Sequence, residues 1–243
     1  MSEPAILSCA GLRKSFGRFQ ALSAVDISVG RGEALGVVGP NGAGKTTLFA
    51  ILAGALRPSD GSIAFEGRDV TSMDASQRCR YGIVRTHQIP RPFLGMTVIE
   101  NVLVAAMNGG GLSGEAAWAA AEAALEQTEL AQHAARPTQT LGLLDRKRLE
   151  LARALAMNPR VLLLDEIGGG LTEAELEGLL ELVARLKRSG MTIVWIEHVL
   201  HALVASVDRL ICMSEGRVIA EGAPAAVMAD KAVAQTYLGR GVQ

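Results

Sequence analysis

Apolar and polar positions alternate over the first thirty residues. Val25, Ile27 and Val29 fall on one face by a period of two, which predicts strands. Ala34-Leu35-Gly36-Val37-Val38 is a short apolar run of strand type, and Thr47 to Ala53 has the composition of a helix. Ser59-Asp60-Gly61 predicts a turn, Ser62 to Gly67 an edge strand, and Tyr81 to Val84 a further strand. The period then changes. Thr97 followed by Glu100 is a capping-box pattern that opens a helix. Ser113 to Leu130 is Ala-rich and helical with Ser113 as its cap, Arg136 to Thr140 is a loop, and Arg146 to Ala156 is a third helix. Strands return at Val161-Leu162-Leu163-Leu164 and Thr192-Ile193-Val194-Trp195-Ile196, both apolar throughout as in a buried parallel sheet. Thr172 to Ser189 between them is helix, with Gly190 as its C-cap. Leu210 to Met213 and Arg217 to Ala220 flank Ser214-Glu215-Gly216 as a hairpin. The pattern predicts one α/β domain over 1–243, with a core of 1–88 and 159–243 and a helical insert over 89–158.

The junction between the Ala34 strand and the helix after it carries the most specific chemistry. Gly39-Pro40-Asn41-Gly42-Ala43-Gly44-Lys45-Thr46 matches G-x-x-x-x-G-K-S/T in full, with Thr47 next. Such a loop wraps phosphate oxygens with backbone N–H groups, and its glycines permit close approach. Lys45 supplies charge for the outer phosphates and Thr46 a hydroxyl for magnesium. The phosphates would sit at a helix N-terminus, where the dipole favours anions.

Composition narrows the class. The 243 residues suit one large domain, and about half are apolar, enough for a sizeable core. A formal charge of −1 argues against a nucleic-acid partner. Cys9, Cys79 and Cys212 have no metal-type spacing and fit a reducing compartment. No run reaches the ~20 uncharged apolar residues of a membrane span. Val194 to Val207 comes nearest and is interrupted by Glu197, His198 and His201. The expectation is a protein that is soluble or peripheral to a membrane.

Asp165 and Glu166 follow the Val161 strand directly, which puts them at the carboxyl edge of the sheet where ligands of α/β proteins gather. Asp165 would hold magnesium, and Glu166 would position or deprotonate the water that attacks the γ-phosphate. Alone, Leu-Leu-Leu-Asp-Glu is equally a solvated acidic turn; the phosphate loop tips the reading towards function.

With these motifs in this order, the chain resembles the nucleotide-binding subunit of ATP-binding cassette transporters over essentially its whole length. The resemblance implies a P-loop fold with a RecA-like core, an antiparallel β subdomain and an inserted helical subdomain, together with ATP and Mg2+. It assigns Phe16, in Arg13-Lys14-Ser15-Phe16-Gly17, to stacking on adenine, although a core phenylalanine remains open. It assigns Gln88, in Arg85-Thr86-His87-Gln88, to magnesium and the attacking water. It assigns His198, in Trp195-Ile196-Glu197-His198, to the γ-phosphate. His87, His133 and His201 match nothing. Val84 to Gln88, Met96 to Val102 and the ending Tyr237-Leu238-Gly239 look most like the ATPases of branched-chain amino acid importers. The ending is shared with lipopolysaccharide-export ATPases.

One motif departs from the family. Where cassette ATPases read Leu-Ser-Gly-Gly-Gln, this chain reads Leu141-Gly142-Leu143-Leu144-Asp145. In the family that segment reaches across a dimer to the partner's ATP. Gly142 has no hydroxyl, and Leu143 and Leu144 add side chains where close approach is needed. Asp145 adds a negative charge or caps the Arg146 helix. Gly170-Leu171-Thr172 also lacks the aspartate usual after the leucine. The resemblance implies transmembrane permease partners, a second ATPase subunit in a heterodimer rather than a homodimer, an indirect periplasmic binding protein, and the cytoplasmic face of the inner membrane. A soluble cassette ATPase of an assembly or repair system and a non-hydrolysing ATP sensor are the rivals.

Overall fold

The computed structural model describes residues 4–197 and 199–238. In chain order its elements are β1 (Leu7–Phe16), β2 (Phe19–Val29), β3 (Ala34–Val38), α1 (Lys45–Leu52), β4 (Asp60–Phe65), β5 (Arg68–Asp69), α2 (Ala75–Tyr81) and β6 (Ile83–Arg85). Then come α3 (Val98–Asn108), α4 (Gly114–Gln127), α5 (Leu143–Ala156), β7 (Val161–Asp165), α6 (Glu173–Arg188) and β8 (Thr192–Ile196). The chain continues through α7 (Leu200–Ser206), β9 (Arg209–Ser214), β10 (Arg217–Gly222), α8 (Pro224–Ala229) and α9 (Lys231–Leu238).

The strands form two sheets, ordered β2-β1-β4-β5 and β10-β9-β3-β8-β7-β6. The first is antiparallel. In the second, β9, β3, β8, β7 and β6 run parallel and β10 closes one edge antiparallel. The period of two in β7 explains how the layers hold together. Val161 and Leu163 face a core shared with Leu48, Phe49 and Ile51 of α1 and with Leu22, Val25 and Phe65 of the antiparallel sheet. Leu162 and Leu164 face the opposite core, with Leu149 of α5 and Leu179 and Leu182 of α6. Each fully buried leucine contributes about 1.5–3 kcal/mol.

The helices α3, α4 and α5 lie between β6 and β7 and pack on one another. Val102, Ala106, Ala121, Leu125 and Ala152 meet in their core. Thr97 caps α3 through the expected reciprocal box with Glu100, and Thr172 with Glu175 does the same for α6.

Several boundaries depart from the sequence pattern. Ser62 to Gly67 was expected at a sheet edge; β4 lies between β1 and β5, and the short β5 covers it. Tyr81 ends α2 instead of opening a strand, because Gly82 (φ 106°) terminates that helix. Nothing in the apolar pattern announced α2, which is polar and held by a capping box between Asp74 and Gln77. Ser113 precedes α4 but makes no capping hydrogen bond. Gly190 lies one residue past the C-cap, Ser189. Within the Arg136 to Thr140 loop, Thr138–Thr140 forms one 3-10 turn. The helix expected from Arg146 starts at Leu143 with Gly142 as N-cap, so Asp145 is a first-turn residue and not the cap.

Candidate nucleotide site

The phosphate loop leaves β3 and enters α1, as its sequence requires. Gly39 adopts φ 145°, and a Cβ there would stand 2.2 Å from the backbone oxygen of Met213. Gly44 adopts φ 99°, and a Cβ there would stand 2.6 Å from the oxygen of Ala21. Both positions exclude any larger residue. Gly44 is also the N-cap of α1 and offers no side chain to its first amides, which leaves them to an anion.

The loop walls a cleft of about 350 Å³ lined by Phe19, Ala21, Asn41, Gly42, Ala43, Gly44, Lys45, Thr46, Thr47 and Glu166. The carbonyls of Gly39 and Pro40 accept from Lys45 Nζ at 2.6 and 3.1 Å. Burial pulls the Lys45 ammonium below its ordinary range, opposed by the charges of Glu166, Cys212 and Asp165.

Both acids stand at the carboxyl end of β7, facing the loop. Asp165 is 3% exposed and accepts from Arg85 Nη2 at 2.5 Å. Its own N–H donates to Thr86 Oγ1 at 3.2 Å. Glu166 is buried at φ 49°, a left-handed conformation costing on the order of 1–3 kcal/mol in a residue with a side chain. Its N–H donates to the Ile196 oxygen at 2.9 Å. Gln88 Nε2 donates to its carboxylate. The side chains of Thr46, Gln88 and Asp165, the residues expected to meet magnesium, each carry a hard oxygen donor of the kind that ion takes.

The remaining expected residues are placed less uniformly. Phe16 ends β1 half-exposed, with Lys14 Nζ 5.2 Å from its ring centroid, so it is no core residue. The aromatic that lines the cleft itself is Phe19, its cross-strand partner. His198 lies outside the described residues, as does Gly239. Leu141 is buried, while Gly142 and Leu143 are exposed at the head of α5. Leu143 approaches the Gly168–Gly170 turn, where a Cβ on Gly170 would stand 3.2 Å from Leu143 Cδ2. The glycines of that turn have a use, since a Cβ on Gly168 would stand 2.7 Å from Leu176 Cδ1.

Sequence reasoning missed four polar residues of this neighbourhood. Arg85 pairs with Asp165. Lys147 donates to the carbonyls of Gln88 and Glu166. Glu150 accepts from the His87 N–H at 3.1 Å. Glu197 accepts from the Gly168 N–H at 3.0 Å. For Arg85, Glu150 and Glu197 a charged residue among apolar neighbours was the available signal, whereas Lys147 lies in the charged run Asp145-Arg146-Lys147-Arg148 and gave none. Among the described residues no cluster of His, Cys, Asp and Glu is arranged to hold a metal by itself, all three cysteines are free, and no helix is long and apolar enough to cross a membrane.

Comparison with known proteins agrees with this geometry. Residues 22–168 match the model of the ABC transporter family, and residues 217–243 match that of the branched-chain amino acid ATP-binding cassette transporter. The chain is 36% identical to the high-affinity branched-chain amino acid transport ATP-binding protein LivG of Escherichia coli, over 98% of this chain and 99% of that one. It is 34% identical to BraF of Pseudomonas aeruginosa, described by the same function, over the same shares. The solved ADP conformation of an ATP-binding cassette of an ABC transporter superposes with a TM-score of 0.89 at 33% identity, over 97% of this chain and 99% of that one. Family, fold and phosphate loop agree: the chain belongs to the ABC transporter family as an ATP-binding, ATP-hydrolysing cassette of the branched-chain amino acid type.

Proposed function

We propose that this chain hydrolyses ATP to energise a membrane importer for branched-chain or related amino acids. The observation that carries this reading is the convergence of the phosphate loop with Glu166 and Gln88 across one cleft, in a chain aligned end to end with such subunits. Lys45 and the loop amides bind the phosphates. Thr46 and Asp165, with Gln88, would hold Mg2+, which would supply positive charge against the phosphates. Glu166 orients and deprotonates the attacking water, and Gln88 fixes the carboxylate that does so. Phe16 stacks on adenine and His198 contacts the γ-phosphate.

The helices α3 to α5 form the helical subdomain over 89–158. Exposed Ile89, Phe93, Leu94 and Met96, next to Gln88, suit a transmembrane permease at the cytoplasmic face of the membrane. A periplasmic binding protein would deliver substrate to that permease. The exposed head of α5 lacks the signature hydroxyl, which favours a heterodimer with a second ATPase subunit. In it, this chain's own ATP is the main one turned over.

The test is a pair of base substitutions in the assembled transporter. Glu166→Gln is expected to keep ATP bound and abolish most turnover, while the equivalent change in the partner costs much less. Equal losses would refute the asymmetry, and normal turnover in Glu166→Gln would remove Glu166 from the mechanism.

A further inference from the structure

Lys147 stands on α5, five residues after the helix's N-cap Gly142, yet it is only 5% exposed. Burying an ammonium is costly unless its donors are met. Here Nζ donates to the carbonyl oxygen of Gln88 at 3.3 Å and to that of Glu166 at 3.3 Å. Burial lowers its basicity, while Glu197 and Glu166 support its charge.

The two acceptors are significant as a pair. They are the backbone oxygens of the two residues whose side chains meet as amide and carboxylate. Glu166 sits in a left-handed conformation with its N–H held by Ile196, so its side-chain direction depends on what holds the other end of the residue. Lys147 holds that other end and ties it to Gln88. Neither apolar packing nor a surface ion pair explains a lysine in this position.

We propose that Lys147 is a positioning residue for hydrolysis: one ammonium on α5 holds the backbones of Gln88 and Glu166 in register, so that their side chains present the base to the water. It touches no reacting atom. The same link joins the helix that begins at the degraded Gly142 segment to the base of this chain's own site. A displacement of α5 relative to β7 is thereby felt at Glu166. The inference rests on Glu166 being the base, as read above.

The test is the steady-state ATPase of the assembled transporter with Lys147→Met and Lys147→Arg. A misplacement near 1 Å costs up to ~100-fold in rate. Lys147→Met is therefore expected to lower kcat by roughly tenfold or more, with KM for Mg-ATP within about twofold. Lys147→Arg, which keeps the charge and donors, is expected to restore most of kcat. If Lys147→Met keeps the full kcat, the inference is overturned. If it loses Mg-ATP affinity in parallel with kcat and Lys147→Arg rescues neither, the role is general packing and the inference is again overturned. An unsubstituted complex without ATPase activity would instead refute the functional reading itself.

Discussion

Arg85 and Asp165 form an ion pair at 2.5 Å between the ends of neighbouring parallel strands β6 and β7, with the carboxylate almost wholly buried. The aspartate assigned to magnesium is thus compensated by a fixed cation of the protein. Removing one partner of a buried pair typically costs about 3–5 kcal/mol, because the other charge is left uncompensated. Arg85→Met is expected to destabilise the chain by about 3 kcal/mol in urea unfolding without nucleotide. With saturating Mg-ATP the loss is expected to shrink, because a cation then stands near Asp165. An equal loss in both conditions would show that Asp165 does not meet the cation.

Lys45 spends its ammonium on the carbonyls of Gly39 and Pro40, inside the loop that is to receive phosphate. Charge-assisted contacts of this kind are worth about 1.5–3 kcal/mol, or roughly ten- to a hundredfold in Kd. Lys45→Ala is expected to weaken Mg-ATP binding by that factor in calorimetric titration, with circular dichroism unchanged. Unaltered affinity would contradict the loop assignment.

Gly142 caps α5 with no side chain, is exposed, and has nothing within 4 Å of where a Cβ would stand. A serine fits there without strain. Gly142→Ser is expected to raise stability by a few tenths of a kcal/mol, the difference between glycine and serine at an N-cap. In the heterodimer proposed above it would also return the missing hydroxyl to the partner's composite site. Residual turnover in a complex carrying Glu166→Gln is then expected to rise, and unchanged turnover would place the asymmetry elsewhere.

Cys9 links stability to alkaline pH. Burial pushes its thiol up to about 12, with Asp26 adding to the rise and a backbone contact from Ile27 opposing it. The folded state holds this proton more tightly than the unfolded chain, whose thiol titrates near the ordinary value of 9.0. The contribution is therefore complete below that value and is lost as pH climbs towards about 12. The slope is about 1.4 kcal/mol per pH unit for one group. Urea midpoints measured from pH 8.5 upward are expected to fall less steeply in Cys9→Ala. Parallel curves would mean that Cys9 ionises without cost in the fold.

Local chemistry made the phosphate loop, the buried strands and the capped helices legible from residue order alone. Gly39 and Gly44 supply the positive φ that the loop requires, Leu162 to Leu164 are buried as an apolar run predicts, and the Thr97 and Thr172 boxes close within one turn of chain. The adjacency of Asp165 and Glu166 to that loop was inferred from strand ends, since parallel strands deliver their carboxyl ends to one edge of the sheet. Boundaries set by exposed polar residues, as at α2, carried no apolar period to read. Tertiary structure alone decided which charges meet. Arg85 finds Asp165 eighty residues away, and Lys147 spans 59 residues to Gln88 and 19 to Glu166. Phe19, opposite Phe16 across the β1–β2 pair, lines the cleft wall, and only the strand pairing brings it there. Such pairings depend on distances that appear only once the sheets and α5 have packed, and no one-dimensional pattern encodes them.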